Sequence, residues 1–152
     1  MATDSFRATE LFQMHELVIQ LDRAAQIILA PLGITYNDFL VLLAVYGNPS
    51  SSQQEIAQSI GVGKASISLR TRALSEKGLV VQSLNPENRR ETLLVLSGQG
   101  QRVYQEAASI LTERAGPVFD TLGSNRERFR ADLGALIQEL HNQMFDPKEN
   151  TR

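Results

Sequence analysis

The chain has 152 residues, a length typical of one domain or of a small domain with extensions. Its residues are 42% hydrophobic and 21% charged, which is typical of a soluble protein with a packed core. The absence of cysteine excludes disulfides, thiolate metal sites and cysteine-based oxidant sensing. No apolar run approaches the ~18 residues of a transmembrane helix, and the first residues lack the pattern of a signal peptide. We therefore expect a cytoplasmic protein with no membrane partner.

The charge is unevenly distributed along the chain. The formal net charge is -2, but residues 61–90 carry six basic side chains against two acidic ones. Residues 1–60 carry two basic against six acidic side chains, and the remainder carries seven against nine. Because the local field rather than the total charge attracts phosphate, the basic segment predicts a contact with nucleic acid.

Two helices are predicted before the basic segment. Apolar residues at alternating steps of three and four predict a first helix from about Thr9 to Ala30, with a stripe suited to packing against another helix. Pro31-Leu32-Gly33 ends it. Thr35 and Asp38 then resemble a capping box at the start of a second, strongly apolar helix. The stripe of the first helix consists of Leu11, Met14, Val18, Leu21, Ala25 and Ile28.

The next two helices are predicted to form a helix-turn-helix. Ser52 and Glu55 form a second capping box, and the third helix ends at Gly61, where the turn requires a positive φ. A fourth helix runs from about Lys64 to Lys77 and is closed by Gly78. The remaining positions agree in size and polarity, with a small residue at the helix crossing and apolar residues between the helices: Ala57, Ile56, Ile60, Val62 and Ile67.

One position departs from the helix-turn-helix pattern. Residue 70 should be apolar, but it is Arg70, next to Leu69. Three arrangements fit. The arginine stem can cover the edge of the core with its head in water, the helix can rotate so that Leu69 fills the gap, or Arg70 can contact a phosphate. We prefer the first.

The start of the fourth helix is expected to face the major groove of DNA. Ser66 and Ser68 can bond to bases or phosphates, Ala65 can touch a thymine methyl group, and Arg72 can contact guanine or phosphate. The alternative is an ordinary solvated helix face. The complete predicted face is Gly63, Lys64, Ala65, Ser66, Ser68, Leu69 and Arg72.

A β-hairpin is predicted immediately after the helix-turn-helix. The apolar runs 79–84 and 91–96 flank a polar tip that contains Arg89 and Arg90. An arginine at this tip can enter a narrow minor groove, where the potential is most negative. The alternative is a solvated turn.

The terminal segments are predicted to be helical. A fifth helix follows Ser97 and is broken or ended at Gly116-Pro117. A third capping box, Ser124 with Glu127, is predicted to open a last helix, which precedes a flexible tail at 146–152. The expected fold is mainly α, an α+β winged helix-turn-helix at 35–96. The helical segments 9–33 and 98–145 are expected to form a dimerisation region, because a short chain has little spare core to cover their stripes. Alternatively, these helices pack on their own monomer.

The residues that enzymes require are scarce. The two histidines, His15 and His141, match no metal-ligand or catalytic-triad spacing, and we expect no catalytic residue, metal site or cofactor. Two alternatives to a DNA-binding regulator remain. One is a metal-responsive regulator in which His15 and His141 meet, and the other is a winged-helix dimer that binds proteins.

The order of these elements resembles the multiple-antibiotic-resistance regulator (MarR) family of transcription factors. The resemblance implies a homodimer that binds a pseudo-palindromic operator in double-stranded DNA, most often as a repressor. It also implies release by a small ligand, frequently an aromatic acid or phenol. The matching residues are Leu32-Gly33-Ile34-Thr35, Gln54-Glu55-Ile56-Ala57, Leu74-Ser-Glu-Lys-Gly-Leu-Val80, Asn85-Pro86-Glu87-Asn88-Arg89-Arg90 and Leu96-Ser97-Gly98-Gln99-Gly100.

The hairpin departs from the family pattern in one residue. The family usually has Asp-x-Arg, which places the arginine at Arg90 but leaves Asn88 at the acidic position. An amide can still hydrogen-bond the guanidinium, without the strength that a charge adds. The resemblance further implies a ligand pocket between the helical region and the winged helix. Its expected lining is His15, Tyr36, Phe39 and Tyr104, which are alternatively core or surface residues.

Overall fold

The computed structural model describes residues 9–145, so the flexible tail predicted at 146–152 lies outside the described residues. Within residues 9–145, six α-helices and three short strands confirm the predicted fold class, mainly α with a small sheet. Within the described range no single helix is long and apolar enough to cross a membrane. Only the pair Glu10–Leu32 and Tyr36–Gly47, bent by 77°, reaches that length and apolarity together. The helices are α1 (Glu10–Leu29), α2 (Tyr36–Gly47), α3 (Gln53–Ile60), α4 (Lys64–Glu76), α5 (Gly98–Asp120) and α6 (Arg126–Phe145); the strands are β1 (Ser51–Ser52), β2 (Val80–Leu84) and β3 (Thr92–Leu96).

Two of the three predicted capping boxes are confirmed. At the start of α2, Asp38 N donates to Thr35 Oγ1 at 3.1 Å, and Thr35 N donates to Asp38 Oδ2 at 3.0 Å. At the start of α3, Glu55 N donates to Ser52 Oγ at 3.2 Å, and Ser52 N donates to Glu55 Oε2 at 2.7 Å. Each of these two boxes satisfies two backbone amides that have no partner within the helix.

The third predicted capping box, Ser124 with Glu127, is wrong as the start of the last helix, because Ser124 lies inside a 3-10 turn, Gly123–Asn125, and α6 begins at Arg126.

The two predicted left-handed glycines are also confirmed. Gly61 ends α3 with φ 68°, and Gly78 follows α4 with φ 71°. A side chain at either position would be strained, because L residues rarely adopt this region. The two glycines therefore set where α4 begins and where the chain turns into the hairpin.

The sheet is antiparallel, with strand order β1-β3-β2. The predicted hairpin is confirmed, and its register pairs Val80 with Leu96 and Leu84 with Thr92. Strand β1 was not predicted, since two serines carry no alternation of apolar and polar residues. It pairs Ser51 with Leu94 and joins the start of α3 to the hairpin.

The core lies within the helix-turn-helix and its surrounding helices. Its apolar side chains come from α1, α2, α3, α4, α5 and the hairpin, so that each element of the winged helix contributes to one cluster. The largest fully buried apolar side chains are Leu29, Leu42, Ile56, Ile67, Leu74 and Leu94.

The expected break in the fifth helix is wrong. Helix α5 continues through Pro117 and ends at Asp120. Proline at this position removes one amide, the partner of the carbonyl four residues earlier, and α5 continues for only three residues beyond it. The late position of Pro117 within α5 therefore limits its effect on the helix.

The described chain forms two compact units that meet within α5, between Leu111 and Thr112. The first contains the helix-turn-helix and the hairpin. In the second, Arg126 Nη1 lies 2.6 Å from Asp120 Oδ1, and the same guanidinium lies 5.8 Å from the centre of the Phe119 ring. These contacts connect the end of α5 to the start of α6.

The close approach of Gly100 to the backbone of Leu79 predicts a strong substitution effect. A Cβ at Gly100 would overlap the carbonyl oxygen of Leu79 and lie 2.8 Å from its carbonyl carbon. Because backbone atoms cannot move aside easily, Gly100→Ala is expected to lower the free energy of unfolding by about 3 kcal/mol. Urea denaturation followed by circular dichroism measures this change.

Gly116→Ala is the matched control for this prediction. Gly116 also lies in α5, but nothing lies within 4 Å of a Cβ built there. Its replacement is expected to raise the stability by ~0.5–1 kcal/mol, since alanine is the better helix former. Equal stabilities of the two variants would contradict the close approach of Gly100 to Leu79.

Candidate nucleic-acid interface

One side of helix α4 is completely buried. Ile67, Thr71 and Leu74 each have no exposed surface. The turn before α4 is closed by Val62 N, which donates to Ala57 O at 3.0 Å, and Ala57 is itself buried. The predicted tight helix-turn-helix is therefore present, with α4 as its second helix.

The opposite side of α4 is open to solvent. Residues three and four positions apart lie on one side of a helix, and the exposed residues follow that spacing. Ser66, which was predicted on this face, is half-buried and accepts from Arg70 Nε at 3.3 Å. We call the remaining set the exposed face of α4: Lys64, Ala65, Ser68, Leu69 and Arg72.

Arg72 is paired along the helix. Its Nε lies 3.0 Å from Glu76 Oε1, and both side chains are well exposed. Exposed pairs of this kind contribute only ~0.3–0.5 kcal/mol to stability. The pair is therefore weak enough for Arg72 to exchange Glu76 for another anion.

Arg70 has a neighbour that the sequence analysis did not predict. Its side chain is 29% exposed, and its Nη1 lies 4.0 Å from Asp38 Oδ1. The guanidinium thus lies near a carboxylate while the side chain stays partly exposed. Leu69 is 71% exposed, which contradicts a rotation of the helix that would bury it.

Asp38 connects α2 to α4. Its side chain is nearly buried, and one of its oxygens caps the start of α2. Lys77, directly after α4, places Nζ 3.7 Å from Asp38 Oδ2 and donates to Gly33 O at 2.9 Å. Together with Arg70, this gives one carboxylate two cationic neighbours, one within α4 and one directly after it. We call this cluster the Asp38 anchor: Asp38, Arg70 and Lys77.

A second polar cluster connects α4 to α3 and to the hairpin. Gln53 Nε2 donates to Thr71 Oγ1 at 3.0 Å, and Gln82 Nε2 donates to Thr71 O at 3.0 Å. Gln53 Nε2 also lies 3.4 Å from Gln82 Oε1. The sequence analysis missed this cluster, because its members are 11 to 29 positions apart and belong to no motif. Buried networks whose members are all bonded favour one geometry over its alternatives.

The hairpin tip is ordered by local hydrogen bonds. Asn85 Oδ1 accepts from Glu87 N at 3.0 Å, and Asn85 Nδ2 donates to Glu91 Oε2 at 2.9 Å. Asn88 Oδ1 accepts from the backbone amide of Arg90 at 3.2 Å. These side-chain turns replace regular pairing at the end of the hairpin. Asn88 therefore binds the backbone of Arg90 and not its guanidinium, which was the expectation from the sequence. The side chains of Arg89 and Arg90 are exposed.

Three of the four predicted ligand-pocket residues come together. The rings of Tyr36 and Phe39 stack at 6.2 Å, and those of Phe39 and Tyr104 at 5.9 Å. Tyr46, which the sequence analysis did not name, extends the row by stacking on Tyr104 at 4.4 Å. His15 lies on α1 with its ring 6.4 Å from Phe12. The row packs against the core, which agrees with the alternative that these residues are core aromatics.

Metal-binding residues do not cluster in the part of the chain that the structure describes. Residues 9–145 contain no group of three or more histidines, aspartates or glutamates placed to hold an ion. His15 lies in the first unit and His141 in the second. The described part of neither unit therefore contains a set of metal ligands that would support the alternative of a metal-responsive regulator.

The fold and the placement of α4 beside the hairpin define a winged helix-turn-helix. Residues 32–91 match the model of the MarR family. The chain is 28% identical over 120 residues to a putative transcriptional regulatory protein for the hcr operon of Thauera aromatica, covering 79% of this chain and 70% of that protein.

Two solved structures share the fold. The repressor CouR bound to a 23-mer DNA duplex has a TM-score of 0.78 at 24% identity, covering 88% of this chain and 93% of that chain. The Staphylococcus aureus MepR–DNA complex has a TM-score of 0.80 at 19% identity, covering 86% and 98%.

The segment that matches the MarR family model contains the helix-turn-helix and the hairpin tip, so in this region the chain resembles transcriptional regulators of that family.

The Asp38 anchor predicts an unequal response to substitution. Asp38→Ala removes a capping group and the shared partner of two cations, and it is expected to lower the free energy of unfolding by about 2 kcal/mol. Arg70→Met removes one half-buried partner and is expected to cost less than ~1 kcal/mol. Urea denaturation measures both changes.

Asp132→Ala is the control for this pair of variants. Asp132 Oδ2 lies 3.7 Å from Arg128 Nε, and both side chains are well exposed, so its loss should leave the stability almost unchanged. Equal effects of Asp38→Ala and Arg70→Met would contradict the role of Asp38 as the shared anchor.

Proposed function

We propose that this chain is a sequence-specific, homodimeric repressor of a pseudo-palindromic operator, released from DNA by a small ligand. The observation that supports DNA binding most directly is the arrangement of α4, in which an exposed face lies opposite a completely buried side. The basic segment 61–90 contains both that face and the arginine pair of the hairpin. A fold shared with a repressor bound to a DNA duplex supports the same function.

In the proposed complex, α4 enters the major groove and the hairpin tip enters the adjacent minor groove. The short side chains at the start of α4 allow close approach to base edges, and Ser66 and Ser68 supply hydroxyls. Arg89 and Arg90 provide exposed cations for the narrow, negative minor groove. The proposed DNA-contacting residues are Lys64, Ala65, Ser66, Ser68, Leu69, Arg72, Arg89 and Arg90.

The dimer is proposed from apolar surface on the terminal helices. Helix α1 exposes large apolar side chains along most of its length, and α6 exposes three more. Monomeric proteins rarely leave such stripes in water. We assign the segments 9–33 and 98–145 to a dimerisation region and 35–96 to the DNA-binding region. The exposed side chains are Leu11, Met14, Leu17, Val18, Ile19, Leu21 and Ile27 on α1, and Leu136, Ile137 and Leu140 on α6.

A twofold dimer explains a pseudo-palindromic site. Two copies of α4 related by a twofold axis present the same face to two half-sites, about 34–36 Å apart along one face of the duplex. A ligand that favours a different spacing of the two helices would release DNA by shifting the population of dimers.

The proposed effector site uses the aromatic row together with His15. The regulator PcaV from Streptomyces coelicolor, solved in complex with its natural ligand, has the same fold with a TM-score of 0.69 at 20% identity. In this chain Tyr36, Phe39 and Tyr104 stack, and Tyr46 presents an exposed edge of the row. An aromatic ligand that binds tightly but leaves operator affinity unchanged would overturn this part of the proposal.

The DNA function is tested by the salt dependence of binding. Fragments that the protein retains from a random duplex pool are titrated at increasing salt, and fluorescence anisotropy gives the affinity. About six phosphate contacts would give a slope of about -5 for log affinity against log salt. A flat line would overturn the DNA-binding proposal and favour a protein-interaction module.

Arg90→Ala tests the role of the hairpin in the same assay. Loss of a cation near the backbone is expected to reduce the slope by about one unit per protomer. Sites with A/T-rich flanks should lose most affinity, because their minor groove is narrowest. Arg114→Ala, at an exposed position of α5 outside the proposed interface, is the matched control and should leave the slope unchanged. Equal losses on A/T-rich and G/C-rich flanks would contradict insertion into the minor groove.

Leu136→Glu tests the dimer. A charge within the apolar surface of α6 is expected to shift the protein to monomers in sedimentation velocity and to abolish tight binding to a two-half-site operator. Gln138→Glu adds the same charge two positions away, on the opposite side of the helix, and should leave the dimer intact. A monomeric Leu136→Glu variant with unchanged operator affinity would contradict the requirement for a dimer.

A further inference from the structure

An apolar strip lies in the centre of the exposed face of α4. Leu69 is 71% exposed, and Ala65 lies one turn earlier on the same side. The inward side of α4 is already filled by Ile67, Thr71 and Leu74. Leu69 is therefore placed to contact whatever binds this face rather than to complete the core.

The polar neighbours of Leu69 lie beside it rather than at the centre of the face. Ser68 reaches only a short distance from the helix, and Arg72 is one turn further along, with its Nε bonded to Glu76 Oε1 at 3.0 Å. The face contains no asparagine or glutamine, the side chains that pair with adenine through two bonds. The long side chain at its centre is thus apolar. The apolar group that a base pair presents in the major groove is the C5 methyl group of thymine.

We infer that Leu69, one helical turn after Ala65, contacts a thymine methyl group in each half-site and determines the base at that position. This inference rests on the proposed insertion of α4 into the major groove. A cytosine at the same place lacks the methyl group and presents an amino group, which an apolar side chain cannot bond. Leu69 therefore favours thymine for two reasons: it gains a contact with the methyl group, and it offers no hydrogen-bond partner to the amino group of cytosine.

The test removes the methyl group and leaves base pairing unchanged. The operator is first recovered by selection from a random duplex pool, and each thymine is then replaced singly by deoxyuridine. One thymine in each half-site is expected to show about fourfold weaker binding without its methyl group, the factor that corresponds to ~0.8 kcal/mol per buried methyl group. Fluorescence anisotropy at fixed salt measures the ratio.

Variants of Leu69 assign the effect to this side chain. With Leu69→Ala, thymine and deoxyuridine sites should bind equally, whereas Leu69→Met should retain most of the difference because methionine is apolar and of similar length. Leu84→Ala, at another exposed leucine outside α4, is the matched control and should keep the full difference. Unfolding curves of Leu69→Ala should match the parent, since the residue lies outside the core.

Two results would overturn the inference, and they differ in what they say about the function. Steep salt dependence with no thymine sensitive to deoxyuridine, or a difference that persists in Leu69→Ala, overturns the role of Leu69 and leaves DNA binding intact. A flat salt dependence with no enriched sequence overturns both.

Discussion

The complete burial of one side of α4 is the constraint on which the rest of the interface depends. Ile67, Thr71 and Leu74 lie inside the core, so the helix cannot rotate without exposing apolar surface or breaking the bonds of Thr71. Burying an aliphatic side chain of this size stabilises the folded state by ~1.5–3 kcal/mol. Because the inward side is fixed, the outward side is fixed too, and Leu69 remains in solvent although it is apolar.

Two polar clusters then give the buried helix a defined position. Hydrophobic packing alone tolerates small shifts, whereas a hydrogen bond fails over a few tenths of an ångström. The contacts of Thr71 with Gln53 and Gln82 tie the middle of α4 to α3 and β2, and the Asp38 anchor ties its second half to α2. Thr71 of α4 therefore contacts both α3, through Gln53, and the hairpin, through Gln82. The proposed major-groove and minor-groove contacts thus share one rigid support.

The local elements of this fold could be predicted from the sequence, and the long-range polar contacts could not. The capping boxes of α2 and α3 and the left-handed Gly61 are confirmed, because caps and turns depend on residues a few positions apart. The contact of Arg70 with Asp38 spans 32 positions of sequence and has no motif, so the arginine looked like an exception to an apolar pattern. Strand β1 was missed because two residues show no period, and the end of α5 was misplaced because one proline removes only one bond. The assignment of the DNA-contacting residues stays a prediction.

The hairpin shows how an amide can replace an acid at its tip. An aspartate at position 88 would place a negative charge beside Arg90 and offset part of the field that attracts phosphate. Asn88 instead accepts a hydrogen bond from the backbone amide of Arg90, which keeps the turn and adds no charge. The nearby carboxylate of Glu91 accepts a hydrogen bond from the side-chain amide of Asn85. The arginine side chains of the tip are exposed, and their charge acts over about a Debye length, ~8–10 Å at physiological salt. In an otherwise acidic chain, a neutral residue at this position keeps the positive potential concentrated where the minor groove would lie.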